Sequence, residues 1–320
     1  NEDIFFPRPS VTYMPGSGRG LLGGGKTNPA GTNQNAIQMI HIQTLGNTSD
    51  FGDLTLASYG RSGCASRTRG VFGGGYKDAS PADEINVIES IEFASQGNAA
   101  DFGNSTVARA FSASNAGSQT RGIIGAGGEK SPGRSDVIDY ITIASAGNAA
   151  DFGNLSATRS AVNGFSSPTR GVFAMGHESP ADVDTVEYIT IASTGNVTDF
   201  GNSTSSRQYA MTVSTSIRGV SAGGFDNSPS NAMVNIMDYV TIATTGNSTD
   251  FGDLTVARGQ SFGGMSDPTR GVFGGGTNPD NVTIDYITIA STGNAADFGD
   301  MSLQTGDTTN VSDSHGGLQS

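Results

Sequence analysis

A short phrase recurs six times along this chain: a Gly-Asn step followed within a few residues by Asp-Phe-Gly. The glycine of the step falls at Gly46, Gly97, Gly147, Gly195, Gly246 and Gly293. The fullest copy runs from Tyr286 to Asp300 as Tyr-Ile-Thr-Ile-Ala-Ser-Thr-Gly-Asn-Ala-Ala-Asp-Phe-Gly-Asp. A period of about 50 residues marks a repeat architecture and excludes most other folds. With 320 residues the chain has room for two ordinary domains or one closed repeat domain, and the repeat favours the closed one.

Each unit has four parts. A first segment such as Ala110 to Ala116 precedes an Arg-Gly-Val-Phe-Gly-Gly-Gly stretch, as at Arg270 to Gly276. A variable loop follows, then a strand reading Asp-Tyr-Ile-Thr-Ile-Ala, the Gly-Asn turn, and Asp-Phe-Gly leading into a last short strand. These segments are rich in Val, Ile, Tyr, Phe and Thr and are bordered by Gly or Pro, which is strand composition with turn punctuation. No window keeps a helical period, so the sequence predicts an all-β protein. In the third strand Ile141 and Ile143 share one face while Tyr140 and Thr142 share the other. Substantial residues on both faces predict a sheet packed on both sides, as in a propeller blade held between two neighbours. Gly73 with Gly74, and Gly274 with Gly275, end strands where backbones approach closely or φ turns positive.

The Gly-Gly strand end, the Tyr-bearing strand, the aromatic after a turn and the closing Ala-Arg resemble the Kelch repeat over about residues 5 to 304. One departure is plain: Phe51, Phe102, Phe152, Phe200, Phe251 and Phe298 stand where Kelch blades carry Trp, and the chain has no Trp. The Thr-Arg-Gly-Val-Phe-Gly-Gly-Gly wording also resembles repeats in structural proteins of marine bacteriophages of cyanophage type. The Kelch resemblance implies a six-bladed propeller of four-stranded units over residues 1–304. Residues 305–320 are then a closing strand or a flexible C-terminal tail, and each unit owns a first strand beginning with Pro9 to Met14. The chain begins at Asn1 without Met, as after processing or in an incomplete chain, and no signal segment is legible.

Charge is periodic too. Arg-Gly steps recur at Arg19, Arg69, Arg121, Arg170, Arg218 and Arg270, and a second arginine follows Asp-Phe-Gly at Arg109, Arg159, Arg207 and Arg258. Facing them are Asp50, Asp101, Asp151, Asp199, Asp250 and Asp297, with further acids before the third strand at Glu89, Asp139, Glu187, Asp238 and Asp285. Arg69, Arg121, Arg170, Arg218 and Arg270 are expected to bridge Asp101, Asp151, Asp199, Asp250 and Asp297 as scaffold ion pairs, because arginine's fork suits partly buried carboxylates. An arginine cluster for an anionic ligand is the rival reading, and six-fold recurrence favours scaffold.

Other chemistry fails on pattern. Gly20 to Thr27 satisfies the P-loop motif, yet it is the Gly-rich strand of the first repeat, and Asn28-Pro29-Ala30-Gly31 opens no helix for phosphate. His41, His177 and His315 fall in different units without paired spacing, so no metal or cofactor is expected. No Asp-x-Asp-x-Asp-Gly calcium loop and no Gly-x-Ser-x-Gly elbow occurs. A lone Cys64 rules out an intrachain disulfide, and eight Asn-x-Ser/Thr sequons follow from the Asn-rich repeated turn. A net charge of −13 argues against nucleic acid as partner. The apolar runs are too short for a membrane-spanning helix.

The copies differ most between the second and third strands. Six loops there carry Ser-Pro or Asn-Pro, at Pro29, Pro81, Pro132, Pro180, Pro229 and Pro279. Candidate binding residues on them are Tyr76, Lys77, Asp78, Glu129, Lys130, Arg134, His177, Glu178, Phe225, Asp226, Asn278 and Asp280. A meander puts these diverse loops on one face and the six Gly-Asn turns on the other. Diverse loops on a rigid scaffold are a usual seat of recognition. The expected function is a non-enzymatic binding or structural module of a virion or extracellular surface, for adhesion, receptor binding or decoration. Its partners are other virion or surface proteins and a host glycan or receptor. Two alternatives are a secreted carbohydrate-binding or sugar-modifying propeller, signed by a central pocket of aromatics and carboxylates, and a structural protein that assembles with its own copies through the repeated face.

Overall fold

A computed structural model describes residues 16–27, 30–77, 83–128, 133–226, 232–277 and 282–319. The chain forms a six-bladed β-propeller, its sheets arranged radially about one axis. The fourth blade is typical: Asn163–Ser166 lies innermost, then Arg170–Ala174, Thr185–Thr190 and Thr198–Asn202, all antiparallel. Both sheet faces are apolar, as expected for a sheet between two neighbours. Ile141 and Ile143 of the third blade pack with Cys64, Val71 and Ile88 of the second. Ile138 and Tyr140, on the opposite face, pack with Phe173 and Ile189 of the fourth.

Three innermost strands depart from the expected unit: that of the sixth blade is split into Ser261–Phe262, which pairs parallel with Thr308–Ser312, and Met265–Ser266. Ala110 to Ala116 is no continuous strand: it touches its neighbour through isolated bridges at Ala110 and Ala113. Phe111 (φ 57°) and Asn115 (φ 64°) break its extended path. In the first blade the innermost place beside Arg19–Gly23 belongs to the C-terminal segment Thr308–Ser312, with Leu21 opposite Val311. A first strand at Pro9 to Met14 lies outside the described residues. The ring therefore closes by pairing its last strand with its first, which leaves no free sheet edge at the seam.

The recurring phrase is an inter-blade clasp. Gly97 N–H donates to Phe51 O (2.9 Å) across the blade boundary, and Asp53 N–H donates to Asn98 Oδ1 (3.0 Å). The same pair joins Phe102 to Gly147, Phe152 to Gly195, Phe200 to Gly246, Phe251 to Gly293 and, across the seam, Phe298 to Gly46. The glycine after each Phe must be glycine: a Cβ on Gly103 would sit 2.3 Å from Gly147 O. The Phe rings are core, and four of them, Phe152, Phe200, Phe251 and Phe298, lie edge-on to the tyrosine of their own blade, as in Tyr140–Phe152 at 6.0 Å.

Candidate functional site

The repeated charges are scaffold, but their pairing differs from expectation. Asp101, Asp151, Asp199, Asp250 and Asp297 are exposed at the start of the outer strand, and no ion pair is formed by them among the described residues. The Arg-Gly arginines instead reach the next blade's backbone: Arg121 donates to Ile191 O (2.7 Å) and Arg170, Arg218 and Arg270 to Ile242, Ile289 and Ile42 O (2.9 Å). Each guanidinium lies over a tyrosine of its own blade, as Arg218 over Tyr239 at 4.2 Å, a cation–π contact. Arg69 also donates to Ile143 O and pairs with the half-exposed Glu92 at 2.8 Å.

The buried bridges belong to the second arginine set and the acids of the third strand. Arg109–Asp139 (2.6 Å), Arg207–Asp238 (2.9 Å) and Arg258–Asp285 (2.8 Å) lie in the interior between blades. Arg159 meets Glu187 in the same way. Thr106 completes the shell around Asp139, donating from N–H and from Oγ1. At the second blade Ser58 holds the arginine's place, and Arg61, three residues later, reaches Glu89 at 2.8 Å. Burial pushes Arg61 and Arg258 down from their ordinary range while Glu89 and Asp285 oppose it. Burial holds Arg159 at about 10. At the seam the acid is replaced by buried Gln38, whose Oε1 accepts from Thr48, Ser302 and Leu303.

The axis is closed on the Gly-Asn side by the chain's own end. Residues 313–318 are buried, and they meet every blade. Asp313 accepts from Gly18 and Arg19 N–H. Ser314 donates to Ser266 O, His315 Nε2 meets Ala65 O at 3.4 Å, and Gly316 and Gly317 press on Ser166, Thr215 and Gly117. Arg67 donates to Leu318 O at 2.8 Å. Midway along the axis Ser166, Ser214, Ser266 and Ser312 hydroxyls each donate to an innermost-strand carbonyl of the preceding blade.

On the variable-loop side the axis ends in a ring. The residue nine places after each repeated Phe is Gly60, Phe111, Ala161, Tyr209, Gln260 or Asp307, and all have φ between 53° and 63°. Each donates its N–H to the carbonyl of the one before: Phe111 to Gly60 (2.6 Å), Ala161 to Phe111 (2.9 Å), Tyr209 to Ala161 (3.2 Å), Gln260 to Tyr209 (3.2 Å), Asp307 to Gln260 (2.5 Å) and Gly60 to Asp307 (3.0 Å). This closed circuit fixes the blades about the axis and puts a different residue at each of its six positions.

Over the ring lies a cluster of half-buried aromatics. Tyr59 meets Tyr76 (5.4 Å between ring centres) and Phe111 (5.8 Å). Tyr209 meets Phe111 (5.7 Å) and Phe225 (6.2 Å), with Phe262 as floor. Lys26 places its ammonium 3.9 Å over Tyr59. His177 Nδ1 lies 2.7 Å from Asp182 Oδ1 in the loop hairpin beside it. Burial raises the Tyr209 hydroxyl above its ordinary range, reinforced by Asp307, Tyr59 and Asp182 and opposed by Arg134. Asp307, 9% exposed, is pushed up to about 7 by burial, with Lys26 opposing.

Of the loop residues expected to bind, Tyr76, Phe225, His177 and Arg134 converge on this mouth. Glu178 lies 3.5 Å from Arg159, at the edge of a scaffold pair. Lys77 and Asp226 sit on the short loop hairpins opposite Asp83 and Ala232. Asp78, Glu129, Lys130, Asn278 and Asp280 lie outside the described residues. The sequence reading omitted Lys26, Tyr59, Phe111, Tyr209, Gln260 and Asp307. Four of them hold ring positions, where the residue changes from blade to blade inside an otherwise constant segment. The chain matches no known protein family and no curated protein.

Proposed function

We propose that this protein is a non-enzymatic binding module of a virion or outer surface, which recognises its ligand with the variable-loop face. The observation that carries this reading is the axial mouth: non-repeating aromatic and polar side chains from several blades converge there on a scaffold closed by a hydrogen-bonded ring. Such pre-organisation limits the entropy lost on binding. The C-terminal segment ends on the opposite face, where Ser216 N–H donates to Gln319 Oε1. The resemblance of the Thr-Arg-Gly-Val-Phe-Gly-Gly-Gly wording to marine bacteriophage repeats is what suggests a particle, where weak contacts multiply over many copies.

Loop replacement tests the proposal. Exchanging residues 76–84 and 225–233 for Gly-Ser linkers of equal length should abolish binding of the purified protein to immobilised cell-envelope fractions and oligosaccharides. Binding that survives both exchanges refutes it.

Assembly through the repeated face has its own support. Ile217, 67% exposed, stands where four sister turns carry Thr. It lines a groove of about 570 Å³ with Arg67, Pro268 and Ala290. If copies associate there, Ile217→Thr dissociates them in light scattering.

A further inference from the structure

We propose that the axial mouth is a carbohydrate subsite in which the aromatic cluster of Tyr59 and Tyr209 packs against the apolar side of a neutral pyranose ring and Asp307 accepts hydrogen bonds from its hydroxyls. This rests on the variable-loop face being the recognition surface, and it names the ligand class.

The starting point is a buried group that the scaffold does not explain. Asp307 Oδ1 is shielded from water and has no hydrogen-bond donor among the described residues. A buried polar atom without a partner is destabilising, so its presence calls for a reason. The backbone does not require it, since the equivalent ring positions hold Gly60, Phe111, Ala161, Tyr209 and Gln260. The buried acids of the third strands, Glu89, Asp139, Glu187, Asp238 and Asp285, each have an arginine on them. Asp307 instead holds a ring position, within electrostatic reach of Lys26 and Tyr209.

The walls decide what fits. Tyr59, Tyr76, Phe111, Tyr209 and Phe225 touch one another at steep angles, between 60° and 89°. They remain half-buried rather than sealed. A seal alone needs only aliphatic side chains and no tyrosine hydroxyls. A ligand with an apolar face and hydroxyls around its rim uses both, and a pyranose has that shape. Charge narrows the class. Lys26 already supplies a cation to Tyr59, which disfavours a second one. The carboxylates of Asp307 and Asp182 disfavour an anion, as does the net charge of −13.

The test is the whole chain on an array spanning neutral, acidic and amino sugars, with titration of any hit by tyrosine fluorescence, which the absence of Trp leaves uncluttered. A neutral sugar should bind. Tyr209→Ala and Asp307→Asn should each weaken it roughly tenfold or more, a typical hot-spot loss. Asn tolerates the left-handed backbone at 307, so Asp307→Asn should melt no lower than the parent at pH 8. Tyr59→Ala serves as the second ring variant if Tyr209→Ala fails to fold. An array blank for neutral sugars, or affinity unchanged by the ring and Asp307 variants, overturns the proposal. So does a loss in Asp307→Asn matched by a fall in melting temperature, which makes the residue structural. Envelope binding lost on loop exchange yet unaffected by Asp307→Asn sinks the sugar subsite alone and leaves the recognition face standing.

Discussion

Replacing Gly103 by Ala probes the inter-blade clasp at a site where two glycines of one motif make opposite demands. The new Cβ would lie 2.3 Å from Gly147 O and 2.5 Å from its carbonyl carbon, distances no real Cβ tolerates. The backbone there has φ of 152°, which an L side chain rarely adopts. Backbone strain of this kind costs about 1–3 kcal/mol, and forcing apart packed atoms costs about 1–3 kcal/mol more. The expected loss is therefore about 2–6 kcal/mol, or about 4–12 °C in Tm at about 2 °C per kcal/mol for a large domain. Gly147, on the other side of the same contact, has nothing within 4 Å of its would-be Cβ. Gly147→Ala should fall within about 1 kcal/mol of the parent, since alanine also restricts the unfolded chain. Calorimetric melting of the two variants at one pH decides the matter. Equal melting temperatures would refute the clasp as an element of stability.

Other substitutions separate scaffold charge from surface charge. Asp139→Asn strands the Arg109 guanidinium and should cost about 3–5 kcal/mol, whereas Asp151→Asn at the exposed rim should stay within about 0.5 kcal/mol; urea denaturation measures both. Gln38→Glu puts an acid into the seam, where Thr305 stands in the second arginine's register, and should destabilise by several kcal/mol on the same scale. His315 is held down at about 4 against an ordinary 6.5 by burial in the axial plug. The native state therefore binds fewer protons than the unfolded chain between those values. Its share of stability, up to about 3 kcal/mol, is present above pH 6.5 and lost as pH falls to 4. Asp307, raised from 3.8 to about 7, has the opposite sign: the native state holds its proton more tightly, so this group favours folding as pH falls through 7 toward 4. Melting from pH 8 to 4 should show the acid-side loss shrink in His315→Asn and deepen in Asp307→Asn.

The architecture was legible because the period, the two-faced third strand and the turn glycines all pointed to one fold. The ion pairs were misassigned because two sets of acids share one period, and period alone cannot choose between Asp151 and Asp139. Local context can. Asp139 stands between Ile138 and Tyr140 inside an apolar strand, where a charge must find a partner, while Asp151 begins its strand beside the exposed Gly-Asn turn. The closing strand lacked the Arg-Gly landmark for a structural reason. Arg-Gly opens the second strand of a blade, and in the first blade Arg19 and Gly20 already provide it. The mouth residues were hidden because variation was sought in loops. Phe111, Tyr209 and Asp307 vary singly, at a position whose importance appears only when six backbones meet.

That position joins stability and recognition at one point. A non-glycine residue in the left-handed region costs about 1–3 kcal/mol, and five of the six ring residues bear such strain at φ of 53–60°. A scaffold selected for stability alone would place glycine there, as it does at Gly60. The circuit of N–H to carbonyl bonds offsets the strain and holds each residue in the same geometry. The conformation is thus common to all six blades while the side chain is free to differ. A six-fold frame gains an asymmetric centre in this way, and asymmetry is what a mouth must have to distinguish one ligand from another.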